Sequence, residues 1–230
     1  MQKTPLFFRL LHLSDSALPV GGFAFSNGLE SLIHTGFIHS KDSLKEYLEG
    51  YCRQILSFDL YFAQESHALD GPPYGEKLKQ LNEELDTMTL IPSMRKASLL
   101  QGKNWLRILG EIFPEADTAS VSRWFSINKL PAHSSLIVPL CFKRLGISWE
   151  QTKALLLYQA LRDQISAAIR LNVIGPLEGH RLQTEVYEEN FGEISEQENS
   201  YRNRIPFKSA CLLEISQANH ERLYSKLFQN

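Results

Sequence analysis

Apolar side chains recur at intervals of three, four or seven residues along most of the chain, which is the spacing of one helix face. The clearest stretch begins after Ser40, the expected N-cap, and ends at the helix-breaking run that starts with Asp70. Its apolar positions are Leu44, Leu48, Tyr51, Ile55 and Phe62. This pattern predicts an amphipathic helix with one face towards a core.

Later segments repeat the same pattern. Helices are predicted around residues 78–85, from Pro92 to before Pro114, between Pro131 and Gly146, and over about 177–188. Ser148 and Gln151 have the spacing of a capping box, so a further long helix should begin there. We expect Gly175 to end that helix by supplying the left-handed turn, before Pro176.

No stretch alternates apolar and polar residues with turn signals at hairpin spacing. The predicted fold is therefore all-α, a single-domain bundle of about eight to ten helices over residues 1–230. Residues 188–206 are rich in Glu, Asn, Ser and Gln, which predicts a mobile linker within that domain. Residues 207–230 are predicted to be a tail that docks on a partner, helical over residues 207–228, because its apolar face is not buried locally.

Composition excludes several classes of function. The net charge of −2 gives no basic surplus for nucleic acid, and the longest apolar runs are too short to span a membrane. Three widely separated cysteines, Cys52, Cys141 and Cys211, do not form a disulfide framework. Together with the lack of a secretory signal, these features predict a cytoplasmic protein.

The chain shows little sign of catalytic chemistry. It has no phosphate-binding loop, its histidines are scattered, and no Cys-x-x-Cys pair is present, so neither a cofactor nor a metal site is predicted. Ser26 lies in an incomplete nucleophile motif, because Ala24 stands where the first Gly is required. A small helical serine hydrolase using Ser26 remains an alternative, although a helix cap is the simpler interpretation.

Residues 13–30 form the most distinctive segment of the chain. Pro19 fixes its own φ angle, while Gly21 and Gly22 permit sharp turns and close backbone approach. Phe23 can act as an apolar anchor, and the carboxylate of Glu30 would favour the first turn of the next helix. The segment is typical either of a rigid connector between helices or of a shaped docking surface.

The run LPVGGFAFSNGLE at residues 18–30 resembles the N-terminal signature of the urease accessory protein family UreF. Four further blocks are similar to that family in the same order along the chain. They are Arg95 to Gly102, His133 to Gly146, Ala167 to Gly175, and His220 to Phe228. This resemblance implies a helical, homodimeric accessory protein that has no catalytic activity.

The resemblance also implies a role in inserting nickel into apo-urease. Members of the family form a complex with UreD, also called UreH, and with the GTPase UreG, whose nucleotide cycle they gate. Three positions depart from the family pattern. Pro139 replaces an expected Gly and is expected to kink its helix, and Pro176 and His180 replace expected glutamines.

Two partner-binding regions follow as hypotheses. The GTPase would contact the signature segment together with two arginines, and the UreD-like protein would contact the tail. The first set is Pro19, Val20, Gly21, Gly22, Phe23, Ser26, Glu30, Arg95 and Arg170; the second is His220, Leu223, Tyr224, Leu227 and Phe228. For each arginine an intramolecular carboxylate or carbonyl partner is an equal alternative. A helical scaffold unrelated to urease is the remaining alternative for the chain as a whole.

Overall fold

The computed structural model describes residues 5–71, 73–191, 205–208 and 210–229. Every regular element in these ranges is helical, which confirms the all-α class. The chain divides into two compact units. One contains the residues up to Gly22 together with Phe62–Gln159, and the other contains Phe23–Tyr61 and the residues from Ala160 onwards. The single-domain organisation stays a prediction.

The first unit is built around the packing of α6 on α7 and α8. Its helices are α1 (Leu6–Ser14), most of α4 (Leu60–Ala68), α5 (Gly75–Met88), α6 (Pro92–Ile112), α7 (Thr118–Ile127), α8 (Ser134–Arg144) and the beginning of α9 (Trp149–Arg170). In its core, the Trp105 ring meets Phe142 edge to face at 5.6 Å. This is a favourable geometry for an aromatic pair.

The second unit packs α3 against α10, and α2 against α11. Its elements are α2 (Leu29–His34), α3 (Lys41–Gln54), a π-helical turn (Ile55–Asp59), the rest of α9, α10 (Pro176–Phe191), α11 (Cys211–Asn219) and a 3₁₀ turn (His220–Arg222). Its apolar core includes Leu29 and Leu48 from the first stretch of chain, and Leu161, Leu182 and Phe228 from the second. Residues that lie far apart in sequence therefore share one core.

The predicted helix starts are confirmed where local sequence determines them. The Ser40 hydroxyl accepts a hydrogen bond from the Ser43 amide, and the Ser43 hydroxyl accepts one from the Ser40 amide. Ser148 and Gln151 form the expected capping box, with distances of 3.0 and 3.3 Å. The predicted helix after Ser40 is interrupted, however, by the π-helical turn.

The end of α9 differs from the prediction. Asn172, and not Gly175, adopts the left-handed conformation, with φ of 59°. The amides of Val173 and Asn172 then bond back to the carbonyls of Ala168 and Ile169, both at 3.0 Å. Asn tolerates this conformation because its short polar side chain adds little steric strain.

The three departures from the family pattern are accommodated within helices. Pro139 is the sixth residue of α8, which continues to Arg144 although Pro139 has no amide hydrogen to donate. Pro176 is the first residue of α10, where no helical amide bond is required, and His180 is exposed on the same helix. Residues 192–204, most of the predicted linker, lie outside the described residues.

Helix α1 buries a charged side chain and exposes several apolar ones. Arg9 and Leu13 are buried, while the apolar side chains of Phe7, Phe8 and Leu11 are exposed. Arg9 donates hydrogen bonds to the Glu115 carboxylate at 2.7 Å and to a backbone carbonyl at 3.2 Å. An ion pair between the buried Arg9 side chain and the exposed Glu115 thus attaches this helix to its unit, and the apolar face of the helix is left uncovered. None of the described helices is long and apolar enough to cross a bilayer.

Candidate functional site

Glu30, the second residue of α2, is the centre of a polar cluster in the second unit. It is only 2% exposed. One carboxylate oxygen accepts a hydrogen bond from the Leu227 amide at 2.6 Å. The other accepts from His220 Nε2 at 2.7 Å and from the Phe228 amide at 3.2 Å. Because a buried carboxylate needs such donors, the cluster joins the signature segment to the chain terminus.

Two backbone features complete this junction. The Gln229 amide donates to the Ala24 carbonyl at 2.9 Å. Gly28 has a φ of +92°, and a Cβ atom added there would lie 2.2 Å from the Ser216 hydroxyl oxygen of α11. Only glycine combines this conformation with such a close approach of α2 to α11. The glycine of the signature is therefore a packing requirement.

Arg170, from the end of α9, lies between two aromatic rings. Its guanidinium carbon is 3.8 Å from the centre of the Phe23 ring and 4.3 Å from that of Phe228. It also donates a hydrogen bond to the Phe23 carbonyl at 2.7 Å. The carbonyl alternative predicted for this arginine is thus present, and the stacking joins the signature segment, α9 and the terminus.

Asn27 links the same segment to α3 and α11. It has a φ of 51°, its side chain donates to the Tyr51 hydroxyl at 3.0 Å, and its carbonyl accepts from Gln217 Nε2 at 3.3 Å. Burial raises the pKa of the Tyr51 hydroxyl far above its usual value, so it stays neutral. Asn27 thus attaches the signature segment to α3 through Tyr51 and to α11 through Gln217.

Seven of the fourteen predicted partner-binding residues meet in this cluster. They are Phe23, Ser26, Glu30, Arg170, His220, Leu227 and Phe228. Four of these, Ser26, Glu30, His220 and Phe228, are buried, which is at odds with direct contact to a partner. Phe23, Tyr224 and Leu227 are exposed, and Leu223 is half-buried. Partner binding by these exposed residues stays a prediction.

The burial of Ser26 also argues against the hydrolase alternative. Its side chain is inaccessible to a substrate, and its hydroxyl oxygen lies 3.5 Å from the Glu30 amide nitrogen, near the start of α2. This position fits the alternative role in supporting a helix start.

The tail differs from its prediction, which is a helix over residues 207–228 with an apolar face that is not buried locally. Instead α11 ends at Asn219, and Leu213, His220 and Phe228 are buried in the second unit. The physical reason is that the signature segment supplies both the space beside Gly28 and the Glu30 acceptor.

The remaining predicted residues belong to the first unit. Pro19 is exposed, and Val20, Gly21 and Gly22 are half-buried. The Val20 carbonyl accepts a hydrogen bond from Asn104 Nδ2 at 3.2 Å. This turn and Arg95 therefore belong to a different compact unit from the Glu30 cluster.

Arg95 has an intramolecular carboxylate partner, which was the predicted alternative to contact with the GTPase. It donates to Asp86 at 2.6 and 3.3 Å, and Asp86 also lies 2.9 Å from His133 Nε2. The other ring nitrogen of His133 lies 3.1 Å from the Ser98 hydroxyl. A Cβ atom on Gly102 would overlap the Ala132 carbonyl. The Arg95 and His133 blocks of the sequence thus pack against each other.

Electrostatics in this network follow from burial and hydrogen bonding. Burial raises the pKa of Asp86, but the hydrogen bonds from Arg95 and His133 outweigh it, so the pKa lies below its usual value. Burial lowers the pKa of His133, although Asp86 opposes this change. Sequence reasoning missed Asp86, because nothing distinguishes it from other helical acids before the fold brings His133 close.

The described residues include no group of three or more His, Cys, Asp or Glu side chains that could hold a metal ion. Cys52 and Cys141 are buried, and burial raises the pKa of each thiol to about 12. Cys211 is exposed and also free. The two buried cysteines therefore contribute to packing as neutral thiols.

Comparison with known proteins agrees with this picture. The UreF family model matches residues 38–187. Urease accessory protein F of Oryza sativa is 30% identical over 218 residues, covering 94% of this chain and 82% of that protein. The Arabidopsis thaliana protein of the same name is 30% identical over 94% of this chain and 89% of its own length. Urease accessory protein UreF of Paenarthrobacter aurescens is 26% identical over 96% of both chains. The chain therefore belongs to the UreF family of urease accessory proteins, which are not enzymes.

Proposed function

We propose that this protein assists nickel insertion into apo-urease by forming a complex with a UreD-type accessory protein and the GTPase UreG, whose GTP hydrolysis it gates in the cytoplasm. The observation that supports this most is the family match across most of the chain. It argues against a scaffold unrelated to urease. The exposed apolar side chains of both units supply surfaces on which such partners can dock.

The surface proposed for the UreD-type protein is the tail surface, defined as Leu212, Ile215, Tyr224 and Leu227. All four side chains are exposed, although their neighbours Leu213 and Phe228 are buried. Helix α11 thus holds its unit with one face and offers apolar side chains on another. Such exposed apolar side chains beside a packed face are typical of a protein interface.

Co-purification tests this surface. Because the tail contributes to the core, deleting residues after Arg204 would damage the second unit, and substitutions are more informative. Leu212→Asp combined with Ile215→Asp should abolish co-purification with the UreD-type protein and preserve the helical circular dichroism. Leu177→Asp, at an exposed apolar position on α10, is the matched control. Equal co-purification by all variants would reject the tail surface.

The GTPase is proposed to contact the exposed part of the signature, around Pro19 and Phe23, with Arg170 and Arg95 as polar contacts. Both arginines have intramolecular partners, but the Arg95 side chain is still 42% exposed. Arg95→Ala and Arg170→Ala should reduce UreG pull-down and urease activation. Unchanged activation in both variants would reject this assignment.

The homodimer is proposed to form through the uncovered face of α1. This face carries Phe7, Phe8 and Leu11, and no Lys, Arg, Asp or Glu side chain of α1 is exposed, so two copies can meet with little like-charge repulsion. Phe8→Glu should convert the dimer to a monomer in light scattering after size exclusion. Ile127→Glu, at an exposed apolar position on α7 of the same unit, should leave it a dimer. A dimeric Phe8→Glu protein would exclude this face.

The whole proposal depends on one complementation experiment. A strain that lacks this gene should accumulate urease without nickel, and the wild-type gene should restore both nickel content and urease activity. If urease in the deletion strain acquires nickel normally, the proposed function is wrong.

A further inference from the structure

We infer that Arg95 is a receptor for a carboxylate of the GTPase, and that Asp86 is the positioning residue that holds its guanidinium in place. Asp86 occupies the side edge of the guanidinium, formed by Nε and Nη2, and leaves the end edge, formed by Nη1 and Nη2, for an acidic side chain of UreG. This inference rests on the proposed function, because it names the chemical group that Arg95 recognises on that partner.

The first support is the geometry of the arginine. Arg95 Nε donates to Asp86 Oδ1 at 2.6 Å, and Nη2 donates to Oδ2 at 3.3 Å. Within the described ranges of the chain, Nη1 has no hydrogen-bond partner, and the side chain is 42% exposed. Because the guanidinium donors lie in one plane, a carboxylate on the side edge leaves two parallel N–H groups for a second carboxylate on the end edge.

The second support is the set of contacts that holds Asp86. His133 is fully buried, with Nε2 2.9 Å from Asp86 Oδ1 and Nδ1 3.1 Å from Ser98 Oγ. Since the carboxylate needs a donor, a neutral His133 donates from Nε2 and accepts at Nδ1 from the Ser98 hydroxyl. The Ser134 amide at the start of α8 donates in turn to Ser98 Oγ at 3.3 Å. This chain of hydrogen bonds fixes Asp86, and Asp86 fixes the plane of the Arg95 guanidinium.

The third support is that the helix dipoles do not explain where the two charges lie. Arg95 is in the first turn of α6, and Asp86 is in the last turn of α5. Helix dipoles favour acids at the N-terminus and bases at the C-terminus, so each charge occupies the unfavourable end of its helix. Leu90, in the turn between the two helices, is 77% exposed. An exposed arginine together with an exposed apolar side chain is typical of a protein interface.

Four substitutions distinguish a carboxylate receptor from an ion pair that only supports the fold. Arg95→Ala removes the donors. Arg95→Lys keeps the charge, but a single ammonium lacks the two parallel donors that the end edge offers. Arg95→Glu presents a like charge to an acidic partner. Asp86→Ala leaves the guanidinium in place but frees it to rotate, and its effect should be smaller because a repelling charge is lost as well.

The test measures the affinity of the full-length protein for purified, nucleotide-free UreG by calorimetry, with the UreD-type protein present at saturation. Arg95→Ala and Arg95→Lys should each weaken binding at least tenfold, and Arg95→Glu at least threefold more than Arg95→Ala. Asp86→Ala should weaken binding at least threefold alone, but less than twofold when Arg95→Ala is already present, because it acts only through Arg95. Arg107→Ala, which removes an exposed arginine paired with Glu111 on the same helix, is the matched control and should stay within twofold of the wild type.

Binding by Arg95→Lys as tight as the wild type, or equal affinities of Arg95→Glu and Arg95→Ala, would overturn the inference. So would an effect of Asp86→Ala that persists without Arg95. If Asp86→Ala loses its helical circular dichroism, Asp86→Asn takes its place and is judged in the same two backgrounds. An order of affinities that appears only with nucleotide-bound UreG would assign Arg95 to a phosphate and would also overturn the inference. A wild-type protein that does not bind UreG at all would refute the proposed function itself, whereas normal binding by every Arg95 variant refutes this inference alone.

Discussion

Replacing Gly28 by alanine should destabilise the second unit for two separable reasons. With φ of +92°, an alanine would be held in a left-handed conformation that costs about 1–2 kcal/mol. Its Cβ would also overlap Ser216 Oγ and lie 3.2 Å from the Gln217 amide nitrogen, so either the Ser216 hydroxyl must leave its hydrogen bond to the Leu213 carbonyl or α11 must shift. Overpacking of this kind costs about 1–3 kcal/mol. The expected loss in the free energy of unfolding is therefore about 2–5 kcal/mol.

Gly36 provides a matched control in the same unit. It has φ of +78°, but no atom lies within 4 Å of an added Cβ. Gly36→Ala should therefore lose only the conformational part, about 1–2 kcal/mol. Urea titrations followed by circular dichroism at 222 nm measure the free energy of unfolding of both variants. Adding Ser216→Gly to Gly28→Ala should recover part of the steric cost, because it removes the side chain that the new Cβ would overlap. Equal losses for the two alanine variants would show that the approach of α11 to Gly28 is not as tight as described.

Three further predictions concern single side chains. Burial lowers the pKa of both His67 and His133 below 6.5 in the folded protein, so the unfolded chain binds protons first. The free energy of unfolding should therefore fall as the pH drops through about 6.5, and His133→Gln should reduce this slope in urea titrations at pH 7.5 and 5.5. Lys143 donates to two carbonyls at the end of α4, at 3.1 and 2.9 Å, and Lys143→Met should cost about 0.5–1 kcal/mol in the same assay. Arg170→Lys keeps the charge but not the planar stack on Phe23, and should lower the melting temperature measured by calorimetry; an unchanged value would deny the stack a stabilising role.

Helix positions and caps could be predicted because nearby residues determine them. The spacing of apolar residues located α3, α5 and α6, and the hydroxyl of Ser40 and the pair Ser148 and Gln151 fixed two helix starts. The end of α9 was missed because Asn172 and Gly175 both permit a left-handed turn, and tertiary packing chose between them.

The candidate site could be predicted only in part. The signature and the terminal block were recognised as special, but not that Glu30 and His220 bind each other across 190 residues of sequence. The polar composition of the linker favoured a tail that is not buried locally. The tail is in fact buried in part beside Gly28, and the sequence alone does not show that α11 packs there. Arg9 illustrates the same limit, because its burial depends on Glu115 in a distant turn.

The long separation between Glu30 and its partners has a consequence for biosynthesis. At typical translation rates, about 10–40 s pass between synthesis of α2 and synthesis of the 190th residue after Glu30. During that time the nascent chain carries α2 and α3 without the α11 residues that cover them, while the first unit, whose residues are all synthesised once Gln159 is added, can already fold. We therefore expect the nascent protein to depend on ribosome-associated chaperones until residues 220–228 have left the ribosome and can pack beside Glu30.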